Sequence, residues 1–178
     1  MTSGMLADKY LPNFHFSAAH QILIHAPTER IWPLLDNLEY GDSSVIRLLC
    51  ALRGMPRRST NTEGLLQTRF VRLGQVEGKE MLMGLIGRFW RPLGDLITFK
   101  QEEFSAFEQS GYAKATWSFD LVDAGGGFTC VNTETRILCT DEGSRKNFTR
   151  YWFFVKPFSG IVRKEILKQL KRKAESET

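Results

Sequence analysis

The residues best suited to chemistry are His15, His20 and His25, Tyr112, and the run Thr133-Glu134-Thr135-Arg136. Along a strand, side chains alternate between faces, so His15 and His25 share one face and His20 takes the other. Imidazoles divided in this way do not converge on a metal ion. Cys50, Cys130 and Cys139 are widely spaced and contain no Cys-x-x-Cys pair, so neither a disulfide framework nor a cysteine metal site is indicated. No metal and no cofactor is expected. His20 falls on the face expected to be inward. A hydrogen-bonded core histidine is the commoner role there, but in a cavity the imidazole could pass protons near neutral pH. Tyr112, the threonines or Glu134 would be its partners in such a reaction. Phosphate-binding glycine loops, dinucleotide fingerprints, nucleophile elbows and zinc-protease motifs are missing, and Gly84-Leu85-Ile86-Gly87 reads as sheet glycines.

The elements that would position these groups can be read from hydrophobic periodicity. Phe14, Phe16, Ala18, His20, Ile22 and Ile24 recur at period two, and Ile31, Leu34, Leu35 and Leu38 follow at helical spacing. Pro27 marks the switch, Pro27 or Thr28 opens the helix, and Pro33 predicts a slight bend. Val45, Leu48, Leu49 and Leu52 predict a second short helix closed by Gly54 and Pro56, and residues 57–64 read as a loop near a cavity mouth. Strands are expected at 66–73, 79–90, 96–107, 111–122 and 128–140, which with the first makes six. On the strand at 111–122, Ala113, Ala115, Trp117, Phe119 and Leu121 mark the inner face. On the last strand Thr133 and Thr135 are assigned inward, and Glu134 and Arg136 outward. A bulge that reversed the register would bring that couple inside, where it could orient a ligand carboxylate or carbonyl. A long C-terminal helix is expected to start near Gly143 or Ser144 and to show Phe148, Tyr151, Trp152, Val155, Ser159, Val162 and Ile166 on one face. Phe153, Phe154, Phe158 and Ile161 make it apolar around much of its girth. Pro157 is expected to kink or divide it.

The strand, Ala-Pro join and helix of residues 21–35, followed by a sheet and a long C-terminal helix, resemble the SRPBCC superfamily. These START-like or helix-grip proteins include polyketide cyclase/dehydrase-like domains and lipid carriers. The resemblance implies an α+β helix-grip fold: a curved antiparallel β-sheet wrapped around a long C-terminal helix, with two short helices after the first strand. It also implies a cavity for an apolar molecule, in a family divided between carriers and enzymes. Residues 13–174 would form the single ligand-binding domain, behind an N-terminal extension of residues 1–12. Met81, Met83, Trp117, Phe119, Thr133, Thr135, Tyr151, Trp152 and His20 are the residues expected to meet a ligand. Methionine adapts to irregular apolar shapes, and the aromatics exceed what a sheet-helix core obviously needs.

Composition bounds the alternatives. With 178 residues, 42% hydrophobic and 25% charged, the chain can bury a core without staples. The net charge of +4 is a local property: residues 163–173 hold six basic side chains against the single Glu165. Such a run reads as a solvated helix end, or as a weak contact with an anionic membrane surface. Basic residues interleaved with stacking aromatics are missing, so nucleic acid is not an expected partner. The first eleven residues have no signal-peptide pattern and no apolar run is long enough to cross a bilayer, so a cytoplasmic protein is expected. The function expected is binding, with transport as its natural extension, of a lipid, isoprenoid or polyketide-like compound. A cyclase- or dehydratase-like enzyme using His20, and a ligand-regulated interaction module, stand as the alternatives.

Overall fold

The computed structural model describes residues 5–36, 70–91 and 95–176. In chain order the elements are α1 (Met5–Tyr10), β1 (Phe16–Ile24), α2 (Thr28–Asp36), β2 (Val71–Val76), β3 (Glu80–Gly87), α3 (Glu103–Ala106), β4 (Ala113–Gly125), β5 (Phe128–Cys139) and α4 (Glu142–Ser176). The fold class is α+β. The five strands form one antiparallel sheet in the order β1-β5-β4-β3-β2, packed against the 35-residue α4.

Alternation gives the sheet two different faces. The inner face carries Met81 and Met83 of β3, Trp117, Phe119 and Leu121 of β4, Val131 of β5 and Ile24 of β1. These pack with Ile166, Leu167, Leu170 and Ala174 of α4 and with Ile31, Trp32 and Leu35 of α2. The outer face carries Leu82 and Ile86 of β3, which join Leu73 of β2, Ala7, Leu11, Phe99 and Phe104 in a second core. Here β2 and β3 leave no spare room: a Cβ on Gly84 would lie 2.7 Å from Leu73 Cδ1. Between β4 and β5, Gly125, Gly126 and Gly127 all take positive φ, which glycine alone adopts without strain, and so the hairpin closes tightly.

The join at Ala26-Pro27 is pinned from two sides. Thr129 Oγ1 donates to the Ala26 carbonyl at 2.7 Å. From the far end of α4, Lys171 Nζ donates to the Leu23 carbonyl at 2.9 Å, while the Glu175 carboxylate accepts the His25 amide at 2.8 Å. The start of α4 is fixed by Asp141, whose carboxylate accepts the Ser144 amide at 2.8 Å and the Ser144 hydroxyl at 2.9 Å. It also accepts the Gly111 amide and, at 3.0 Å, the Ser110 hydroxyl, so one side chain caps α4 and holds the entry to β4.

Two expectations are corrected. Residues 96–107 are not a sixth strand: Ile97 makes a single bridge to Ile86, and the chain then turns into α3. Lys100-Gln101-Glu102-Glu103 favours that turn, since the Glu103 carboxylate accepts the Lys100 amide at 2.7 Å and Phe99 and Phe104 both turn into the outer core. Pro157 does not divide α4, which runs through it unbroken. The hydrogen bond it forfeits is to the carbonyl of Phe153, a residue 77% exposed, on the side where water can replace the missing donor. The start of α4 at Glu142 lies beside Gly143 and Ser144 as expected, with Asp141 as its cap. Leu38, the helix expected at 45–52, the loop at 57–64, Cys50 and the first residues of the second expected strand lie outside the described residues.

Candidate functional site

The inner face and α4 do not meet evenly. On α4, Phe148 is buried, and burial resumes only at Arg163 and continues through Ile166, Leu167, Gln169, Leu170 and Ala174. Between them, over about 20 Å of helix at 1.5 Å per residue, every side chain is half-buried or exposed. Apolar clusters flank this stretch. At one end Phe16, Phe89, Trp90, Tyr151 and Trp152 pack around Ala113, Ile137, Cys139 and Phe148; at the other, Trp117, Ile22, Phe70 and Val162 pack against the Met81, Met83 and Phe119 core.

Polar groups lie between the two clusters. The strand register sets His20 opposite Thr133, and Thr135 between Ala18 and Trp117. Trp117 Nε1 donates to Thr133 Oγ1 at 2.8 Å, and Thr133 Oγ1 donates to the Ser118 carbonyl at 2.8 Å, so that hydroxyl is used as both donor and acceptor. From α4, Arg163 donates to Thr135 Oγ1 at 2.7 Å and to Ser159 Oγ at 2.8 Å. Arg163 is 7% exposed and makes no ion pair among the described residues. Burial pulls its pKa down to about 10, which leaves it charged at neutral pH. His20 lies under Gly160, where a Cβ would come within 3.4 Å of Nε2. Burial first, then Arg163 and Lys164, hold His20 below the usual histidine range, so the ring is neutral at pH 7. Its Nδ1 is buried without a hydrogen-bond partner among the described residues.

The expected site residues therefore fall into two groups. Met81, Met83, Trp117 and Phe119 share one cluster, with Trp117 and Phe119 ring centroids 5.0 Å apart. Thr133, Thr135 and His20 border it. Tyr151 and Trp152 belong to the other cluster, beside Phe16 and Phe148. Glu134 and Arg136 are on the outer face as assigned: Arg136 pairs with Glu134 at 3.0 Å and with Asp8 at 2.7 Å. Tyr112 is stacked under Arg88 and bonded to Thr140 just past the end of β5, away from His20, which pairs with Thr133 at mid-strand. His15 accepts the Cys139 amide at 3.1 Å, and His25 stacks on Phe128. Of the groups considered for proton transfer, only the threonines accompany His20.

Arg163 is the residue that sequence reading missed, because it was counted with the basic tail. The available signal was its register: Ser159, Arg163, Ile166, Leu170 and Ala174 recur at spacings of three and four, which puts Arg163 on the buried stripe. The rest of the tail is less free than its count implies. Arg172 pairs with Glu165 at 3.1 Å, and Lys171 pairs with Glu175 at 3.6 Å. Among the described residues no helix is long and apolar enough to cross a membrane.

No protein-family model matches this chain, and no curated protein matches it. Among solved structures it is similar to the crystal structure of TTHA0849 from Thermus thermophilus, at 12% identity and a TM-score of 0.34, over 92% of this chain and 99% of that one. A likeness of that size decides nothing about function.

Proposed function

We propose that this protein binds a hydrophobic small molecule, of the size and character of a lipid, isoprenoid or polyketide-like compound, between the inner sheet face and the middle of α4. The observation that carries this reading is the run of α4 between Phe148 and Arg163. A helix packed only for stability buries a continuous stripe, yet this one has no buried side chain there, although aromatic side chains lie at both ends and methionines at one. A ligand lying along that stretch would supply the missing contacts. Binding fits better than catalysis, since Tyr112 and Glu134 lie away from His20 and the polar groups beside it, Thr133, Thr135 and Arg163, include no carboxylate or phenol among the described residues.

Native mass spectrometry of freshly purified protein should show a copurified apolar compound. An apolar fluorescent probe should bind and quench tryptophan emission, and Trp117→Ala should weaken the probe about tenfold while leaving thermal unfolding cooperative. A protein that purifies empty and binds no such probe would overturn the reading.

A further inference from the structure

Arg163 is held in a way that a purely structural arginine need not be. Its two hydrogen bonds go to hydroxyl oxygens, which solvate a cation but do not neutralise it, and no carboxylate pairs with it among the described residues. The guanidinium has five N–H donors, so part of its capacity remains. Thr135 and Ser159 each accept from it, and neither donates to another group among the described residues, so both hydroxyl protons can turn toward a guest. His20 adds a neutral ring with an unpartnered buried nitrogen on the neighbouring strand. The polar belt between the two apolar clusters therefore has one buried positive charge and a surplus of donors. A buried charge without a partner is costly, and that cost is relieved by an anion that brings its own acceptors.

Resting on the binding reading above, we propose that the ligand is an amphiphilic carboxylate, its head held by Arg163, Thr135 and Ser159 beside His20 and its apolar body lying along the Trp117, Met83 and Phe119 cluster. A carboxylate suits the planar guanidinium fork, which can hold both oxygens at once. Charge favours it over a phosphate: one carboxylate balances the single buried cation, whereas a dianionic head would leave an excess negative charge beside a neutral imidazole.

The test compares ligands that differ only at the head, at pH 8. Displacement of the fluorescent probe by dodecanoate, dodecanol, methyl dodecanoate and dodecyl phosphate should rank dodecanoate first in the wild-type protein, at least tenfold tighter than the alcohol and the ester. Arg163→Gln should remove that preference, so that dodecanoate binds no tighter than dodecanol, and Thr135→Val should weaken dodecanoate without abolishing it. If Arg163→Gln does not fold, the wild-type Arg163 side-chain N–H resonance decides instead: it should move with dodecanoate and stay in place with dodecanol. Equal affinity for acid and alcohol would overturn the carboxylate assignment and leave apolar binding standing. A preference for dodecyl phosphate would assign the anion site to a different head and likewise overturn it. Displacement by none of the four would overturn the carboxylate assignment, whereas a protein that takes up no probe to displace would remove the binding reading itself.

Discussion

Asp120 on β4 faces Glu80 on β3 across the outer surface of the sheet, and the two carboxyls are hydrogen-bonded to one another. Glu80 accepts the Leu6 amide at 2.9 Å, which favours its charge over that of Asp120. Burial first, then Glu80 and Glu134, push Asp120 up to about 7, while Ser118 hydrogen bonding works against them. Arg136 lies on this face too but is engaged by Glu134 and Asp8. Asp120 therefore keeps its proton in the folded protein where the unfolded chain has lost it. Its contribution is fully present below about 4 and is lost as pH rises toward about 7. His20, held low, acts with the opposite sign, losing stability as pH falls below about 6.5. The wild-type profile mixes the two, and a difference profile separates them. Asp120→Asn should match wild type near pH 4 and be more stable at pH 8 by about 1–2 kcal/mol once solvent screening is allowed for. Urea denaturation at the two pH values measures this, and a variant no more stable at pH 8 would mean that the pair is not sharing a proton. At this scale the sequence revealed Glu134 and Arg136 as an outward couple, because alternation on one strand is local. It concealed Arg163, whose role depends on which side of a helix meets the sheet.

Among the elements, those set by local periodicity were legible and those set by competition were not. The strand, Ala-Pro join and helix from Phe16 to Asp36 follow from period two giving way to helical spacing, and β4 and β5 from clean alternation. Residues 96–107 alternate just enough to read as a strand, yet Lys100 and Glu103 close a turn there, and the outer core gains more from Phe99 and Phe104 turned inward than from a further ladder. The cap of α4 was hidden for a related reason: Asp141 serves two elements, and its pull on Gly111 lies thirty residues away in sequence. The Ser144 and Gly111 amides first, with the Ser144 and Ser110 hydroxyls behind them, hold its carboxyl well below the usual range against the opposing effect of burial. Its stabilisation is therefore present above about 4 and fades as pH falls further. Asp141→Ala should cost about 2 kcal/mol at pH 7, more than a simple helix cap because β4 loses its anchor as well. Thermal unfolding at pH 7 checks this, and a loss below about 0.5 kcal/mol would show that α4 and β4 hold their positions without it.

Taken as a whole, the molecule is a sheet with a different task on each face. The inner face and α4 form the candidate ligand site, while the outer face is closed by α1 and α3 over Leu73, Leu82 and Ile86. Sequence pattern showed the inner face because aromatic and methionine side chains crowd it. The partner of the outer face was hidden, since six residues of α1 carry too few apolar positions to announce where they dock. Yet Ala7 and Leu11 are almost wholly buried, the Leu6 amide is held by Glu80, and Asp8 and the Leu11 carbonyl both accept from Arg136. Removing residues 1–12 would expose the apolar cover of β2 and β3 and take both of those acceptors from Arg136. At about 25 cal/mol per Å² of apolar surface, the loss from Leu6, Ala7 and Leu11 alone is on the order of 3 kcal/mol. Because α1 and the candidate site lie on opposite faces, the truncated protein should unfold at lower urea and still bind the apolar probe with affinity within about twofold of the full chain. Denaturation and probe titration on the same preparation separate the outcomes. Unchanged stability would show that α1 adds nothing to the fold, and a large loss of probe affinity in a folded truncation would show that the two faces of the sheet are coupled.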